Sequence, residues 1–436
     1  MLTQQANERY TQVGPGTACG ELMRRYWHPI AARSELTGIN YTLPVRLLGE
    51  DLVLYRDRSG TLGLIGSQCP HRKMGMIYGV PAERGLRCAY HGWLFDETGA
   101  CLEMPYEEAE DPSGSFREKV SIASYPVQVL GGLVWGYLGP LPAPLLPRWD
   151  YLVMEDLQRD IAYSELPCNW LQCQENSLDP VHVEWLHGEF SNFIEEQLGR
   201  GPKRTRSKHT MIGFDRFDYG LIKRHGYEGS TEEATEWADG HPIIFPYTLR
   251  QGGDGWDRDR WSNHNGPAVQ IRVPIDDYTT GHWWLRSFQV EPGDAAQLDE
   301  DVPFMELPIP QLDRRGRPQW EMFDANPPQD LVAWFSQGAI QDRTTETLGR
   351  SDKGIILFRQ MLEESIATVE DGGDPINTFR DPKENQFLGM RTEDMRKMIP
   401  QGQAGRDVDT DGTDNADRRD RRRFNRFGGL TEKVEK

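Results

Sequence analysis

Two short Cys/His pairs stand close together in the first quarter of the sequence. Cys69 and His71 are separated by one residue, and Cys88 and His91 by two. Four such ligands could close a tetrahedral zinc site. The spacings also match the arrangement in which two thiolates hold one iron of a [2Fe–2S] cluster and two imidazoles hold the other. The residues therefore predict a metal site, with zinc as the alternative to the cluster.

A second group of possible ligands lies further along the chain. Asp179 precedes His182 by three residues, and His187 follows His182 by five. Five residues turn through about 140° on an ideal helix, so the imidazoles share one face only if the helix is bent, bulged or ending there. Pro180 gives a reason for such irregularity. The spacing excludes the H-E-x-x-H zinc motif, and by themselves the two histidines fit a metal site and ordinary core or surface positions equally well.

Together the two groups resemble the Rieske non-haem iron oxygenases. The resemblance rests on Cys69-Pro70-His71-Arg72, on Cys88-Ala89-Tyr90-His91-Gly92-Trp93, and on the run from Asn176 through Asp179 and His182 to His187. It implies a [2Fe–2S] cluster held by Cys69, His71, Cys88 and His91. It also implies a mononuclear Fe(II) held by His182, His187 and one carboxylate. Asp179 would be the catalytic bridging carboxylate, hydrogen-bonded to a ligand histidine and to a cluster histidine of the neighbouring chain.

The third iron ligand has to come from far along the chain. The family places an acid, followed by another acid one helical turn later, on its C-terminal helix. In the stretch from Gln337 to Glu346, Asp342 takes the first of these positions. The resemblance therefore predicts Asp342 as the third ligand, with Glu346, Asp330 and Asp352 as competitors.

Two further segments are similar to the phthalate-dioxygenase group of this family, which also contains aromatic O-demethylases. They are Gly14–Pro29 and Thr347–Ile355, and the resemblance weakens beyond about Asn377. It implies a terminal oxygenase that uses O2 to hydroxylate an aromatic substrate, expected to be an aromatic carboxylate; aromatic O- or N-demethylation is the alternative. It further implies a homo-oligomer, either a trimer or a stacked hexamer, in which electrons pass between subunits.

The substrate needs an apolar wall and, if it is a carboxylate, a fixed cation. Candidate substrate-binding residues are Trp185 as a wall and Arg224, Lys223 and Arg250 as cations. No G-x-G-x-x-G follows a predicted strand, so electrons from NAD(P)H must arrive through a separate reductase carrying a flavin and an iron–sulfur centre. We expect this partner to dock near His71 and His91.

Two rival hypotheses come from other classes of protein. A Rieske electron-transfer protein without catalysis would need neither His182, His187 nor Asp342. A zinc protein with one structural and one hydrolytic site would contain no iron. Metal content separates them, because the oxygenase predicts about three irons per chain, the electron carrier two and the zinc protein none.

The strands and helices predicted around these ligands indicate an α+β fold in two parts. Short strands and turns fill residues 41–148, a Pro-rich segment follows Gly139, and mixed strands and helices continue from about Trp149. Helical signals cover Cys173–Leu186 and Leu331–Ile366. We therefore expect a helical segment over 1–40 packing on the catalytic domain, an all-β Rieske domain over 41–148, a helix-grip iron domain over 149–400, and a charged tail over 401–436.

Composition narrows the possible partners. The chain has 436 residues and a net charge of −19, which repels a phosphate backbone and argues against binding to nucleic acid or an anionic membrane. The N-terminus lacks a basic segment followed by an apolar run, and no apolar stretch is long enough to span a bilayer. These features predict a cytoplasmic protein that acts on a small molecule.

Overall fold

The structure is a computed structural model, and it describes residues 1–110, 112–154, 157–202, 208–238, 240–251, 268–289, 296–323 and 325–389. The predicted charged tail over 401–436 lies outside these ranges. Within them the α-helices are α1 (Gln4–Thr11), α2 (Ala18–Met23), α3 (Pro105–Glu110), α4 (Asp150–Val153), α5 (Trp170–Ser177), α6 (His182–Glu184), α7 (Phe190–Gln197), α8 (Thr235–Ala238), α9 (Asn326–Phe335) and α10 (Lys353–Glu370). None of these described helices is both long enough and apolar enough to cross a membrane.

The first half of the chain forms three small sheets. Their strands are β1 (Trp27–Ala32), β2 (Thr42–Leu47), β3 (Glu50–Arg56), β4 (Leu62–Gly66), β5 (Val80–Pro81), β6 (Leu86–Arg87), β7 (Leu94–Phe95), β8 (Cys101–Glu103), β9 (Ser124–Tyr125), β10 (Val127–Leu130) and β11 (Leu133–Tyr137). They pair in the orders β1-β11-β10, β2-β3-β4-β9 and β5-β6-β7-β8. The all-β unit predicted from the turn spacing is confirmed.

The predicted N-terminal helical segment differs in its last part. Helices α1 and α2 form as expected, but Trp27–Ala32 is strand β1, which pairs antiparallel with β11 from Trp27 opposite Tyr137 to Ala32 opposite Leu133. The pairing satisfies backbone groups along an edge of β11 that would otherwise lack partners. This segment therefore joins the β unit.

The second half is built on one large sheet. Its strands are β12 (Leu157–Leu166), β13 (His209–Phe217), β14 (Gly220–Tyr227), β15 (His241–Ile244), β16 (Thr248–Gln251), β17 (Ala268–Pro274), β18 (Thr280–Gln289) and β19 (Phe304–Glu306). They run in the order β13-β14-β15-β16-β17-β18-β12-β19. All neighbours are antiparallel except β12 and β19. With the helices, this confirms the α+β class.

The two faces of this sheet have different environments. Side chains alternate along a strand, and directly paired residues share a face. Gln270 pairs with Trp284 and Arg272 with His282, so these four lie on one face. Trp284 packs there against Trp334 of α9. We call this side of the sheet the α9 face, and it carries the second group of ligands.

Both predicted helical stretches are interrupted. The first breaks after α5 at Ser177, resumes at His182, and contains a π-helical turn over Trp185–Glu189 before α7. The second divides into α9 and α10, because Gly338 adopts a left-handed φ of +95° soon after α9 ends. Both breaks lie next to predicted iron ligands.

Candidate metal centres

The two Cys/His pairs lie on loops with the same hydrogen-bond pattern. The N–H of Cys69 donates to the carbonyl of Met74, and the carbonyl of Cys69 accepts from the N–H of Lys73. In the same way, the N–H of Cys88 donates to the carbonyl of Trp93, and the carbonyl of Cys88 accepts from the N–H of Gly92. The residue four after each cysteine takes a left-handed φ, +60° at Lys73 and +79° at Gly92. Two short segments thus fold alike and present their side chains to each other.

The thiols and the imidazoles occupy opposite sides of this arrangement. Cys69 and Cys88 are buried, whereas His71 and His91 are exposed with ring centroids 4.4 Å apart. His71 also stacks on Trp93. Burial and the neighbouring Cys88 raise the pKa of Cys69 to about 11. Since thiolates are the ligand form, a bound metal cation would favour the ionised form of Cys69.

These four residues do not converge on a single point. Within the described ranges, only His182, His187 and Asp330 form a group of three or more potential ligands whose atoms all lie within 4.8 Å of one another. A tetrahedral zinc would require such convergence of the four Cys/His ligands. Separate sulfur and imidazole pairs instead fit a cluster with two irons.

The second site is the group that does converge. Nε2 of His187 lies 3.1 Å from Oδ1 of Asp330, and Nε2 of His182 lies 3.6 Å from the same oxygen. Two ligand atoms, each about 2.1 Å from one metal and at right angles, lie about 3 Å apart. Oδ1 of Asp330 is buried without a hydrogen-bond partner among the described residues. These three side chains therefore fit a shared metal ion.

The π-helical turn explains how two histidines five residues apart share a face. In such a turn the backbone bonds span five residues instead of four, so the side chains of His182 and His187 come to the same side. Their ring centroids are 5.2 Å apart. The irregularity predicted from the spacing is present. Helix α5 ends at Ser177, shortly before Pro180, and the π-helical turn follows further along the chain.

Gln329 fixes the ring of His187. Nδ1 of His187 lies 2.9 Å from Oε1 of Gln329, whose Nε2 donates to the carbonyl of Phe323 at 2.8 Å and to Ser191. Because the amide nitrogen is engaged with a carbonyl, Oε1 must accept, and Nδ1 of His187 carries the proton. The lone pair on Nε2 then points toward Asp330, as a metal ligand needs. Sequence reasoning missed Gln329, which is buried and precedes Asp330 in the chain.

Asp179 lies on the other side of His182. Its Oδ2 is 3.6 Å from Nδ1 of His182, and its Oδ1 accepts from the N–H of Val181 at 2.8 Å. Burial alone would raise the pKa of Asp179, but His182, Val181 and the charge of Lys223 hold the pKa below its ordinary value. Asp179 is therefore an ionised carboxylate behind a histidine of the converging group.

The structure corrects the prediction of Asp342 as the third ligand. Its carboxylate is exposed and accepts from the N–H of Thr344 at 2.9 Å and from the hydroxyl of Thr344 at 2.6 Å, which caps a turn. Helix α9 has already ended at Phe335, so Asp342 is carried away from the histidines. Of the competitors, Glu346 pairs with Arg359, and Asp352 accepts from the N–H of Gly349.

Asp330 occupies the position expected of Asp342. Pro327 and Pro328 begin α9, and Leu331 and Trp334 bury one side of it against the sheet. The two prolines were a usable signal, because proline is favoured in the first turn of a helix and Asp330 lies two residues after Pro328.

Most of the predicted substrate residues lie away from the triad. Arg224 is on the opposite face of β14 and pairs with Asp215 at 2.6 Å, while Arg250 is buried against Asp150 at 2.8 Å. Trp185 is 60% exposed. Arg224 and Arg250 therefore do not line the converging site, whereas Lys223 is buried on the α9 face.

Comparisons with known proteins show which family the chain belongs to. Residues 26–126 match the family model described as Rieske [2Fe-2S] domain, and residues 318–419 match LigXa C-terminal domain like. The chain is 41% identical over 415 residues to the 5,5'-dehydrodivanillate O-demethylase oxygenase subunit of Sphingobium sp., covering 94% of this chain and 91% of the relative. It is 33% identical to the phenoxybenzoate dioxygenase subunit alpha of Ectopseudomonas oleovorans, covering 83% and 85%.

Among solved structures, Pseudomonas putida CBB5 NdmA has the same fold, with a TM-score of 0.57, 18% identity, and coverage of 81% of this chain and 93% of that one. The chain belongs to the Rieske oxygenases. It is a terminal oxygenase subunit of that family and therefore an oxidoreductase with a Rieske [2Fe–2S] cluster. The predicted family, fold class and enzyme class are confirmed, and the electron-carrier and zinc-protein alternatives are set aside.

Proposed function

We propose that His182, His187 and Asp330 hold one Fe(II) as a two-histidine, one-carboxylate facial set. The observation that carries this proposal is the approach of both Nε2 atoms to the otherwise unpartnered Oδ1 of Asp330. This ligand set is typical of non-haem iron oxygenases, in which the iron, when bound, activates O2 with electrons from the reduced partner centre. Gln329 contributes by holding the tautomer of His187, and Asp179 by orienting His182.

The reaction that we propose is O-demethylation of a methoxylated aromatic carboxylate. The relative at 41% identity, which matches nearly the whole chain, is named for removing a methyl group from dehydrodivanillate oxygen. Hydroxylation of the methyl carbon gives a hemiacetal that releases formaldehyde and leaves a phenol. One oxygen atom enters the substrate, and the other becomes water with two electrons from NAD(P)H, delivered through the reductase, and two protons, of which one comes from NAD(P)H and one from the solvent.

Ring dihydroxylation is the second candidate. It is supported by the phenoxybenzoate relative and by a phthalate 4,5-dioxygenase subunit of Pseudomonas putida at 28% identity. In that reaction both oxygen atoms enter the ring and no formaldehyde forms. Both reactions accept an aromatic acid, so they differ in which carbon lies next to the iron.

Electrons reach this subunit from a separate reductase in this proposal. His71 and His91 are exposed and form the docking surface together with neighbouring exposed Tyr90 and Arg72. Asp179 then connects His182 to the cluster of an adjacent subunit in a homo-oligomer, either a trimer or a stacked hexamer. Its ionised carboxylate, beside His182, is suited to accept a hydrogen bond from a second imidazole.

The product separates the two reactions. We would supply the iron-loaded protein with an NADH-dependent flavin and iron–sulfur reductase and with dehydrodivanillate, phenoxybenzoate or phthalate. O-demethylation predicts about one formaldehyde and one new phenol for each NADH oxidised with dehydrodivanillate. A diol without formaldehyde from phthalate or phenoxybenzoate, and no turnover of dehydrodivanillate, would replace the proposal by the second candidate.

A further inference from the structure

Arg272 lies beside the helix that carries Asp330. It is in the middle of β17, on the α9 face, opposite His282. Its guanidinium lies over the ring of Trp334, 5.4 Å from the centroid. Trp334 follows Asp330 by about one turn of α9. A permanent positive charge therefore stands next to the proposed iron site.

Among the buried arginines of the described ranges, Arg272 differs from the others in having no acid partner there. Arg250 pairs with Asp150, Arg343 with Glu175, and Arg24 with Glu50. Arg272 is 1% exposed, yet it forms no ion pair within the described ranges. A buried charge without a partner is costly, so the site is complete only when an anion arrives.

The hydrogen bonds of Arg272 leave two nitrogens available. Nη2 donates to Oε1 of Gln270 at 2.7 Å, and that oxygen also lies 3.1 Å from Nε2 of His282. Nε and Nη1 have no hydrogen-bond partner in the described part of the chain. Gln270 and Trp334 thus hold the guanidinium in one orientation while part of its donor set stays unused.

Lys223 brings a second cation toward the same place. The register from Leu221 through Ile243 and Leu249 to Gln270 puts Lys223 on the α9 face. Burial lowers the pKa of Lys223 to about 8, against the opposing charges of Asp179 and Asp330. Burial also lowers the pKa of Arg272 to about 10, and Cys173 and then Asp330 oppose the shift.

Both cations therefore lie within electrostatic range of the proposed iron ligand Asp330. If Asp330 coordinates a divalent ion, its negative charge is taken up by that ion. The two cations then face a site with excess positive charge. An anionic group on the substrate would remove that excess.

We propose that Arg272, assisted by Lys223, binds the carboxylate of the aromatic substrate and selects acids over neutral analogues. A guanidinium with free donors matches a carboxylate, and the neighbouring Trp334 and Trp284 suit an aromatic ring. The inference rests on the proposed function for the identity of the substrate ring. It adds the residue that recognises the acid group, which sequence reasoning did not find.

Affinity for matched acid and ester pairs tests this assignment without turnover. We would measure the dissociation constants of dehydrodivanillate and phenoxybenzoate, and of their methyl esters, by calorimetry on the iron-loaded protein. Wild type should prefer each acid. Arg272→Gln should weaken binding of the acid by about 10- to 100-fold and change binding of the ester by less than about threefold. Arg272→Lys, which keeps the charge, should recover part of the loss.

Arg224→Gln is the matched control, because Arg224 is next to Lys223 but on the opposite face of the sheet. It should leave both affinities unchanged. Circular dichroism and cluster absorbance show whether Arg272→Gln folds. If it does not, Lys223→Gln tests the assignment, and its affinity for the acid, but not for the ester, should fall by about 3- to 10-fold. Equal loss for acid and ester, or an unchanged preference for the acid, would overturn the assignment.

The outcome is separable from that of the proposed reaction. Formaldehyde production together with an unchanged acid preference in Arg272→Gln would reject this inference and keep the demethylase. An acid preference lost in the variant, in a protein that releases no formaldehyde, would keep the inference and reject the demethylase.

Discussion

The two proposed metal centres of this subunit are assembled in different ways. The cluster ligands lie on two short loops with matching hydrogen bonds, close together in sequence. The mononuclear site takes two histidines from one interrupted helix and its carboxylate from α9, far along the chain. The first geometry is local, whereas the second depends on how α9 packs against the sheet. Changes in the packing of α9 should therefore affect the mononuclear site more than the cluster site.

The largest expected effect of this difference is at Asp330. Asp330→Ala should lose the mononuclear iron and keep the cluster, so iron falls from about three to about two per chain and activity falls at least about a thousandfold. Iron analysis and the visible spectrum of the cluster measure both. Asp342→Ala is the control and should retain full iron. Loss of iron in the control, with full iron in Asp330→Ala, would restore Asp342 as the ligand.

The next effect concerns the packing that holds the second site. Glu175 ends up buried between Arg343 and Arg359, 2.7 Å from each, and ties α5 to α10. Glu175→Gln removes the acid that pairs with Arg343 and one of the two acids that pair with Arg359, and should cost about 3 to 5 kcal/mol in free energy of unfolding. Unfolding by denaturant can be monitored through iron release and through the visible absorbance of the cluster. The mononuclear iron should leave before the cluster absorbance is lost.

This contribution also depends on pH. Burial would raise the pKa of Glu175, but the two arginines hold it below its ordinary value of 4.5. The stabilisation is thus complete above about pH 4.5 and is lost as the pH falls through the lower folded-state pKa. Glu364→Gln, which breaks an exposed pair with Arg216, should cost less than about 1 kcal/mol. Similar losses of unfolding free energy in Glu175→Gln and Glu364→Gln would contradict a larger contribution from the buried contacts of Glu175 with Arg343 and Arg359.

The smallest effect is expected at Gln329. Gln329→Leu removes the acceptor for Nδ1 of His187 and should weaken iron binding by about 10- to 100-fold while leaving the cluster intact. Competition with a chelator measures the affinity. Gln337→Leu is the control, because Gln337 is exposed just beyond α9 and bonds only to a backbone carbonyl. An unchanged affinity in Gln329→Leu would show that His187 is oriented by other contacts.

The same contrast explains what could be predicted from the sequence. The cluster residues were found because their spacing sets the geometry within each loop. His182 and His187 were found through the family motif, and their odd spacing correctly indicated a break in the helix. The third ligand was assigned to Asp342 because an acid followed by another acid was matched by pattern, without knowledge of where α9 ends.

The sequence by itself determined the family and the α+β class, and it predicted the cluster ligands and the two histidines, because these depend on short-range spacing. Only the tertiary structure decided that Asp330 faces the histidines, that Gln329 orients His187, and that Arg224 points away from the site. It also showed Arg272 to be a buried cation that has no acid partner among the residues the structure describes. Such features depend on which strands pair and which face a side chain takes, and strand register is fixed by packing between distant segments.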